Sequence, residues 1–211
     1  MTQNRSTAVM QRRAEPHDSL DDFPTPPWAT RALCEWIRAR GMLGWNEVCR
    51  EPAANRGHMV KPLREFFGCV VASDIFDYGV GFDVEDYLFG ASPSVVSWTI
   101  TNPPFRLAER FIDRAIDSSE DGVAMIVRSA FLEGIGRHQR LFSKAPPTHI
   151  LQFTERVVMH KGRLAPEGST ATAYCWLVWD MADLGGGTRF GWIPPCRKRL
   201  ERAEDYEEAQ G

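Results

Sequence analysis

The stretch VVSWTITNPPF, residues 95–105, contains the pattern that decides the fold. Its first seven residues, 95–101, are mostly apolar or β-branched, which is typical of a strand buried on both faces. Asn102-Pro103-Pro104 ends this strand abruptly, because proline has no N–H to donate to a sheet or to the interior of a helix. The stretch therefore predicts a buried strand that delivers an amide, two prolines and an aromatic ring to one fixed point.

Apolar runs of the same kind alternate with helical patterns along the chain. Strands are expected around residues 47–50, 69–74 and 123–127. Buried strands that alternate with helices are typical of a parallel sheet covered on both faces. The segments 148–159 and 170–179 have no clear helix between them and favour an antiparallel hairpin. We therefore expect an α/β fold with a single doubly wound, mostly parallel sheet and a C-terminal antiparallel hairpin.

Length and composition are consistent with one domain. The 211 residues are 43% hydrophobic and 25% charged, which is ordinary for a globular protein with a substantial core. We expect a flexible tail over residues 1–20, the domain over 21–180, and a glycine-rich linker with a charged tail over 181–211. Thr25 is expected to cap the first helix, and Gly41 to end it.

Charge and cysteine usage exclude several classes of protein. The net charge of −3 argues against a surface coated in basic charge, although a local basic patch is enough to bind nucleic acid. The five cysteines are widely spaced without a CxxC pair, so we expect neither a zinc site nor a disulfide framework. No secretory signal or membrane-spanning run is recognisable. These observations predict a cytoplasmic protein with no metal and no membrane partner.

Three of the expected strands run into polar residues, namely Glu51, Asp74 and Asn102. Ligands of open α/β sheets bind outside the carboxyl ends of the strands, so these residues indicate a site. The segment EPAANRGHM, residues 51–59, has small residues that let the backbone approach a ligand, and Gly57 allows a positive φ. An ordinary strand-to-helix turn would show the same pattern.

Asp74 strengthens the case for a nucleoside ligand. It follows Glu51 by 23 residues, at the end of the next strand, where an acid accepts hydrogen bonds from both ribose hydroxyls. A helix cap or a surface carboxylate is the alternative. The chain contains no glycine-rich P-loop, so an adenosine-containing ligand is favoured over a nucleoside triphosphate.

The tetrapeptide Asn102-Pro103-Pro104-Phe105 is suited to activating a planar amine. Such an amine is a poor nucleophile because its lone pair is delocalised. The Asn102 side-chain oxygen and the Pro103 carbonyl can accept its two hydrogens and draw the nitrogen towards tetrahedral geometry. Phe105 can stack on the face of the flat target. A proline turn with Phe105 in the core is the alternative.

Glu51 to Gly57, Asp74 and the (D/N)PP(Y/F/W) tetrapeptide, in this order and spacing, resemble S-adenosylmethionine-dependent N6-adenine methyltransferases. The likeness is greatest to compact phage- and prophage-encoded DNA adenine methyltransferases, and it runs from about Phe23 to Trp179. It implies a Rossmann-like class I methyltransferase fold over residues 21–180, with S-adenosyl-L-methionine as cofactor. The tetrapeptide marks methylation at a planar nitrogen without choosing between adenine in DNA, adenine in RNA and a glutamine side chain.

The resemblance assigns roles to particular residues. Glu51, Ala53, Asn55 and Gly57 would cradle the methionine part of the cofactor. Asp74 would hold its ribose, and Asp86 would reach its adenine amine. Asn55 departs from the family pattern, which has glycine there, and this bears on cofactor affinity. The catalytic residues implied are Asn102, Pro103, Pro104 and Phe105. The cofactor-binding residues implied are Phe23, Thr25, Pro26, Glu51, Ala53, Asn55, Gly57, Asp74, Ile75, Asp86 and Tyr87.

No segment after the last expected strand is large enough for a separate target-recognition domain. Specificity is then expected to come from short loops or from a protein partner, or to be loose. The basic loop, residues 156–174, could follow a phosphate backbone, and a solvated hairpin loop is the alternative. The expected nucleic-acid-binding residues are Arg128, Arg137, Arg140, His160, Lys161 and Arg163.

These residues together predict a DNA N6-adenine methyltransferase. It would hold a flipped or single-stranded base at the tetrapeptide and transfer the methyl group in one in-line step, without a metal. The alternatives are methylation of adenine in RNA or of a protein glutamine, and a catalytically silent cofactor-binding protein. The expected partner is DNA, with RNA as the alternative, and the expected location is the cytoplasm of the host cell if a phage encodes the chain.

Overall fold

A computed structural model describes residues 21–206 and forms them into one eight-stranded sheet flanked by helices. The expected tail over residues 1–20 lies outside the described residues. The strands are β1 (Val48–Glu51), β2 (Cys69–Asp74), β3 (Asp83–Val84), β4 (Val96–Thr101), β5 (Ser119–Arg128), β6 (His149–Phe153), β7 (Tyr174–Asp180) and β8 (Arg189–Ile193). The helices are α1 (Pro27–Ala39), α2 (Val60–Leu63), α3 (Ala108–Ile116), α4 (Ile135–Arg137) and α5 (Arg197–Leu200).

The strands are arranged in the order β3-β2-β1-β4-β5-β7-β6-β8. The neighbours from β3 to β5 all pair in parallel. Strand β7 is antiparallel to both β5 and β6, and β8 runs parallel to β6 at the far edge. The expected mostly parallel sheet with a C-terminal antiparallel hairpin is therefore confirmed.

Strand β5 shows why the apolar runs are continuous. Ala124 and Ile126 pack in one core with side chains of α1 and α2. Val123, Met125 and Val127 pack in a second core with side chains of α3. Successive side chains of a strand point to opposite faces, so both faces must be apolar when both are covered.

The C-terminal segment differs from the expectation for residues 181–211. Instead of a linker and a tail, residues 189–205 belong to the folded unit, because β8 extends the sheet. Asp205 also accepts hydrogen bonds of 2.7 and 2.8 Å from the Arg31 guanidinium, and both residues are buried. This buried ion pair holds the segment against α1.

The start of α1 also differs from the prediction. Pro26 occupies the N-cap, and the Thr25 hydroxyl is buried without a hydrogen-bond partner among the described residues. Proline suits the first turn because the N–H that it lacks would have no partner within the helix. Gly41, at φ +69°, follows the end of the helix as predicted.

No helix within residues 21–206 has the length and apolar character needed to cross a bilayer.

Replacing Gly122 with alanine tests the packing at the centre of the sheet. A Cβ at this position would overlap the ring of Trp98, which is fully buried in β4. We expect Gly122→Ala to lower the free energy of unfolding by roughly 1–3 kcal/mol, measured by urea denaturation. Gly185→Ala is the matched control, since nothing lies within 4 Å of its added Cβ. Equal stability of the two variants would contradict this packing.

Candidate functional site

The carboxyl ends of β1, β2 and β4 border an open cleft, called here the first cleft. The space between its walls, including the solvent at its open mouth, is about 790 Å³. Three predicted cofactor-binding residues, Pro26, Glu51 and Gly57, do not line it. The other eight do: Phe23, Thr25, Ala53, Asn55, Asp74, Ile75, Asp86 and Tyr87.

Asn55 adopts the backbone conformation that glycine usually supplies. Its φ is +50°, in the left-handed region that asparagine tolerates better than most residues. Its N–H donates to Asp74 Oδ2 at 2.9 Å, and its side-chain amide donates to Asp22 Oδ1 at 2.7 Å. The departure from glycine is therefore accommodated, and it ties the turn after β1 to the end of β2.

Asp74 accepts one backbone hydrogen bond at each carboxylate oxygen, from Asn55 N–H at 2.9 Å and from Phe76 N–H at 3.0 Å. Burial raises the pKa of Asp74, and these N–H donors act against the increase. A carboxylate oxygen has lone pairs for more than one donor. Asp74 can therefore accept further hydrogen bonds from a ligand's hydroxyl groups.

Glu51 is fully buried between the ends of β1 and β4. Its Oε1 accepts from Ala53 N–H at 3.0 Å and from the Thr101 hydroxyl at 2.5 Å. Its Oε2 has no hydrogen-bond partner among the described residues. Burial is the main reason that the pKa of Glu51 is raised to about 8. The side chain thus joins two strand ends that border the first cleft.

Asn102 is oriented by the segment before α1. Its Nδ2 donates to the Phe23 carbonyl at 2.9 Å and lies 3.8 Å from Met159 Sδ. A carbonyl can only accept, so this bond requires the amide nitrogen to face Phe23. The amide oxygen makes no hydrogen bond to the described residues, which leaves it available as an acceptor.

Phe105 is held on three sides. Its N–H donates to Asp21 Oδ2 at 2.9 Å. Its ring lies 5.3 Å from the ring of Phe23, centroid to centroid. The guanidinium of Arg128 covers the ring at 4.0 Å from the centroid.

The tetrapeptide separates the first cleft from a second cleft. Asn102 and Pro104 line the first cleft, whereas Pro103 and Phe105 line the second. The void of the second cleft, counted to its mouth, is about 510 Å³. A group held at Asn102 is therefore within reach of molecules that enter from either side. The other residues of the second cleft are Ala108, Val127, Arg128, Ala130, Phe131 and Arg137.

Two of the predicted nucleic-acid-binding arginines are engaged within the protein. Arg140 forms two hydrogen bonds of 2.9 Å with the Glu109 carboxylate, and Arg137 lies 3.4 Å from the same group. Arg137 also donates to the carbonyls of Phe131 and Glu133. A phosphate contact by Arg137 or Arg140 stays a prediction, and it requires these ion pairs to open.

The basic loop, residues 156–174, lies at the same sheet edge as the tetrapeptide. Gly162 N–H donates to the Asp22 carbonyl at 2.8 Å, and Met159 contacts Asn102. Within the loop, His160 and Arg163 form an isolated backbone bridge. Lys161 is therefore flanked in the sequence by residues that contact the segment before α1 and the tetrapeptide.

Several residues of the first cleft were not predicted from the sequence. Asp21 and Tyr78 are examples, and burial raises the pKa of the Tyr78 hydroxyl to about 12. The sequence offers one indication of their role, which is that they lie next to segments predicted to bind the cofactor. The remaining unpredicted residues are Pro24, Pro52, Ala54, His58, Met59, Glu85, Leu107 and Phe111. In residues 21–206, no three His, Cys, Asp or Glu side chains are grouped to hold a metal ion.

No family model matches the chain, and no curated protein matches its sequence. Solved structures share its fold. A candidate RNA methyltransferase from Pyrococcus horikoshii superposes with a TM-score of 0.57 at 16% identity, over 79% of this chain and 91% of that one. The type I restriction-modification methyltransferase subunit from Streptococcus thermophilus gives 0.61 at 7% identity, over 89% of this chain and 50% of the subunit.

A third structure is the magnesium protoporphyrin IX methyltransferase from Synechocystis PCC 6803 with bound SAM. It gives a TM-score of 0.50 at 12% identity, over 72% of this chain and 78% of that one. These likenesses show that the chain has the Rossmann-like class I methyltransferase fold. The chain spans about half the length of the Streptococcus thermophilus subunit.

The buried Glu51 predicts a pH dependence of stability. Its pKa of about 8 in the folded chain exceeds the ordinary 4.5, so the folded state keeps a proton that the unfolded chain loses. Its stabilising contribution is complete below about pH 4 and is lost as the pH rises through about 8. We expect Glu51→Gln, which stays neutral, to show a smaller fall in the free energy of unfolding between about pH 5 and pH 8.5.

The measurement is urea denaturation at a series of pH values. Glu120→Gln is the control, because Glu120 is exposed on β5 and should keep the wild-type slope. A Glu51→Gln slope equal to that of the wild type would contradict a proton held at Glu51.

Proposed function

We propose that the protein transfers the methyl group of S-adenosyl-L-methionine to the exocyclic N6 amine of adenine in DNA. The observation that carries this proposal is the position of the tetrapeptide between two clefts. Asn102 and Pro104 line one cleft, and Pro103 and Phe105 line the other. A methyl donor in the first cleft and a planar amine from the second would meet at Asn102.

The first cleft fits the cofactor in several respects. Asp74 offers carboxylate oxygens to ribose hydroxyls at the end of β2, which is the usual place for this contact. Ile75 and Asp86 line the same cleft and suit the adenine ring and its amine. Ala53 leaves room for a close approach beside Glu51. The Synechocystis methyltransferase, which shares the fold, is one neighbour whose structure contains SAM.

S-adenosylmethionine, when bound, supplies a methyl group made electrophilic by its sulfonium. The amide oxygen of Asn102 and the carbonyl of Pro103 would accept the two N–H hydrogens of the target amine. The lone pair of the nitrogen would then point towards the first cleft, and its N–C bond would form as the C–S bond breaks. The proton would leave to water after the nitrogen had become cationic, so no strong base would be needed. The bond from Asn102 to the Phe23 carbonyl keeps the acceptor in place.

DNA is favoured as the substrate by the likeness to the type I restriction-modification methyltransferase subunit from Streptococcus thermophilus. The chain spans about half of that subunit. We propose that the basic loop or a protein partner contributes to recognition of a sequence. Methylation of adenine in RNA is the second candidate. It is favoured by the likeness to the candidate RNA methyltransferase from Pyrococcus horikoshii, 91% of which the chain covers.

Asn102→Ala tests the chemistry. We expect methylation to fall at least about 100-fold, because the variant loses an acceptor that acts on the amine in the transition state. Binding of S-adenosylhomocysteine, measured by calorimetry, should stay close to the wild-type value. Product is measured by nucleoside mass spectrometry after incubation with labelled cofactor and unmethylated DNA or RNA. Asp74→Ala is the matched variant, with cofactor binding as its main defect.

The outcomes separate the candidates. N6-methyl-deoxyadenosine that disappears with Asn102→Ala supports the proposal. Label in RNA alone transfers the assignment to the second candidate. Label in neither nucleic acid, with cofactor still bound, contradicts the proposal and points to a protein glutamine substrate or a catalytically silent protein.

The basic loop predicts a salt-dependent contribution to nucleic-acid binding. Lys161→Ala combined with Arg163→Ala should weaken binding of duplex DNA and lower the slope of log K against log salt by up to about 2, as two phosphate contacts are lost. The measurement is fluorescence anisotropy at several salt concentrations. Lys61→Ala with Arg64→Ala is the control and should keep the slope, because Lys61 is exposed on α2 and Arg64 is exposed directly after it. An unchanged slope in the loop variant would identify the loop as a solvated hairpin.

A further inference from the structure

Arg128 occupies an unusual position in the second cleft. It is the last residue of β5, and its guanidinium lies 4.0 Å from the centroid of the Phe105 ring and 5.8 Å from that of Phe23. Its backbone pairs with Tyr174 in β7, and its guanidinium lies close enough to the Tyr174 hydroxyl to offset part of the rise that burial causes in the pKa of that group. No carboxylate among the described residues lies within ion-pair distance of Arg128. The side chain is exposed, and its guanidinium lies over the ring expected to receive the substrate.

The lining of the second cleft suits a flat ring more than a charged group. Most of its residues are apolar, and none is acidic. The other cation there, Arg137, is already paired with Glu109 at 3.4 Å. A flat aromatic group with little charge would enter the second cleft at a small free-energy cost of desolvation. It would also gain contact with the face of the Phe105 ring.

We propose that Arg128 is a planar clamp that holds the target base between its guanidinium and the ring of Phe105. This inference rests on the proposed function, and it identifies the substrate class of the second cleft as an unstacked nucleobase. In the free protein the guanidinium lies at stacking distance from Phe105 and so takes the place of the base. It moves outward by about 3.4 Å, the spacing of stacked bases, when a base enters.

The physical chemistry of arginine favours this role. The guanidinium is planar and weakly hydrated, and it stacks on aromatic faces as lysine cannot. An exposed cation–π contact is weaker than the stacking of a base on an aromatic ring, so a base can displace the guanidinium from Phe105. In the second cleft, Arg128 and Phe105 then contact the two faces of the base, while Asn102 and Pro103 accept hydrogen bonds from its amine. Such a site accepts adenine with little regard to the flanking sequence.

Three substitutions distinguish the effect of the planar shape of the Arg128 side chain from the effect of its charge. Arg128→Phe keeps a plane without charge, Arg128→Lys keeps the charge without a plane, and Arg128→Ala removes both. The substrate is a single-stranded, adenine-containing oligonucleotide, which avoids the cost of opening a duplex. We expect kcat/KM to fall about 10- to 100-fold in Arg128→Ala and Arg128→Lys, and to stay within about threefold of wild type in Arg128→Phe. The salt slope of binding should not change in Arg128→Ala.

Arg40 supplies the matched control, because its guanidinium stacks on Trp36 at 3.8 Å, at the end of α1. Arg40→Lys and Arg40→Ala should keep wild-type kcat/KM. Binding of S-adenosylhomocysteine by each variant shows that the fold is intact.

The opposite order of kcat/KM among the three variants would contradict the proposal that Arg128 clamps the base. Wild-type kcat/KM in Arg128→Lys, loss in Arg128→Phe, and a salt slope reduced by about one in Arg128→Ala would identify a phosphate contact instead. Unchanged kcat/KM in all three variants would overturn it as well.

A second readout keeps the clamp testable if the wild type methylates no nucleic acid, which would refute the proposed function. The fluorescence of 2-aminopurine, placed in a single-stranded oligonucleotide with S-adenosylhomocysteine present, reports stacking without turnover. Quenching by wild type and Arg128→Phe, but not by Arg128→Lys, supports the clamp. No quenching by the wild type overturns it.

Discussion

The position of β4 in the sheet is the constraint on which the site depends. This strand pairs in parallel with β1 on one side and with β5 on the other. Parallel strands end at the same edge, so Glu51, Asn102 and Arg128 are brought to one place from three separated segments. The hydrogen bond from Thr101 to Glu51 joins two of these strand ends directly.

The segment before α1 holds the side chains that follow β4 in place. Phe23 accepts from the Asn102 amide and packs its ring against Phe105, while Asp21 accepts from the Phe105 backbone. Asp22 accepts a hydrogen bond from the side chain of Asn55, which lines the first cleft. A short extended segment thus fixes both the acceptor and the turn that lines the cleft. Groups held in place before a substrate arrives need not be reorganised during the reaction, which is the basis of electrostatic preorganisation.

The two clefts divide recognition between two kinds of surface. The first cleft is rich in acceptors, with Asp74 and Asp86 at its wall, and suits a ligand with many hydroxyl and amine donors. The second is mainly apolar, and its lining includes the guanidinium that lies over Phe105. Consecutive residues of the tetrapeptide line alternate clefts, since the prolines keep the chain extended and side chains alternate along an extended chain. The two adjacent prolines therefore hold the lining residues of both clefts in fixed positions.

The sequence by itself determined the sheet type, the strands β1, β2 and β4 to β7, and the edge at which the polar residues meet, because burial leaves a periodic pattern in each segment. It did not reveal β8, whose pattern is short and half exposed, or the cap of α1. Only the tertiary structure decided which distant groups pair. Asp21 reaches Phe105 across 84 residues, Arg31 reaches Asp205 across 174, and Glu109 engages both Arg137 and Arg140. Such pairs leave no local pattern, since each partner is an ordinary surface residue in its own segment until the fold brings the two together.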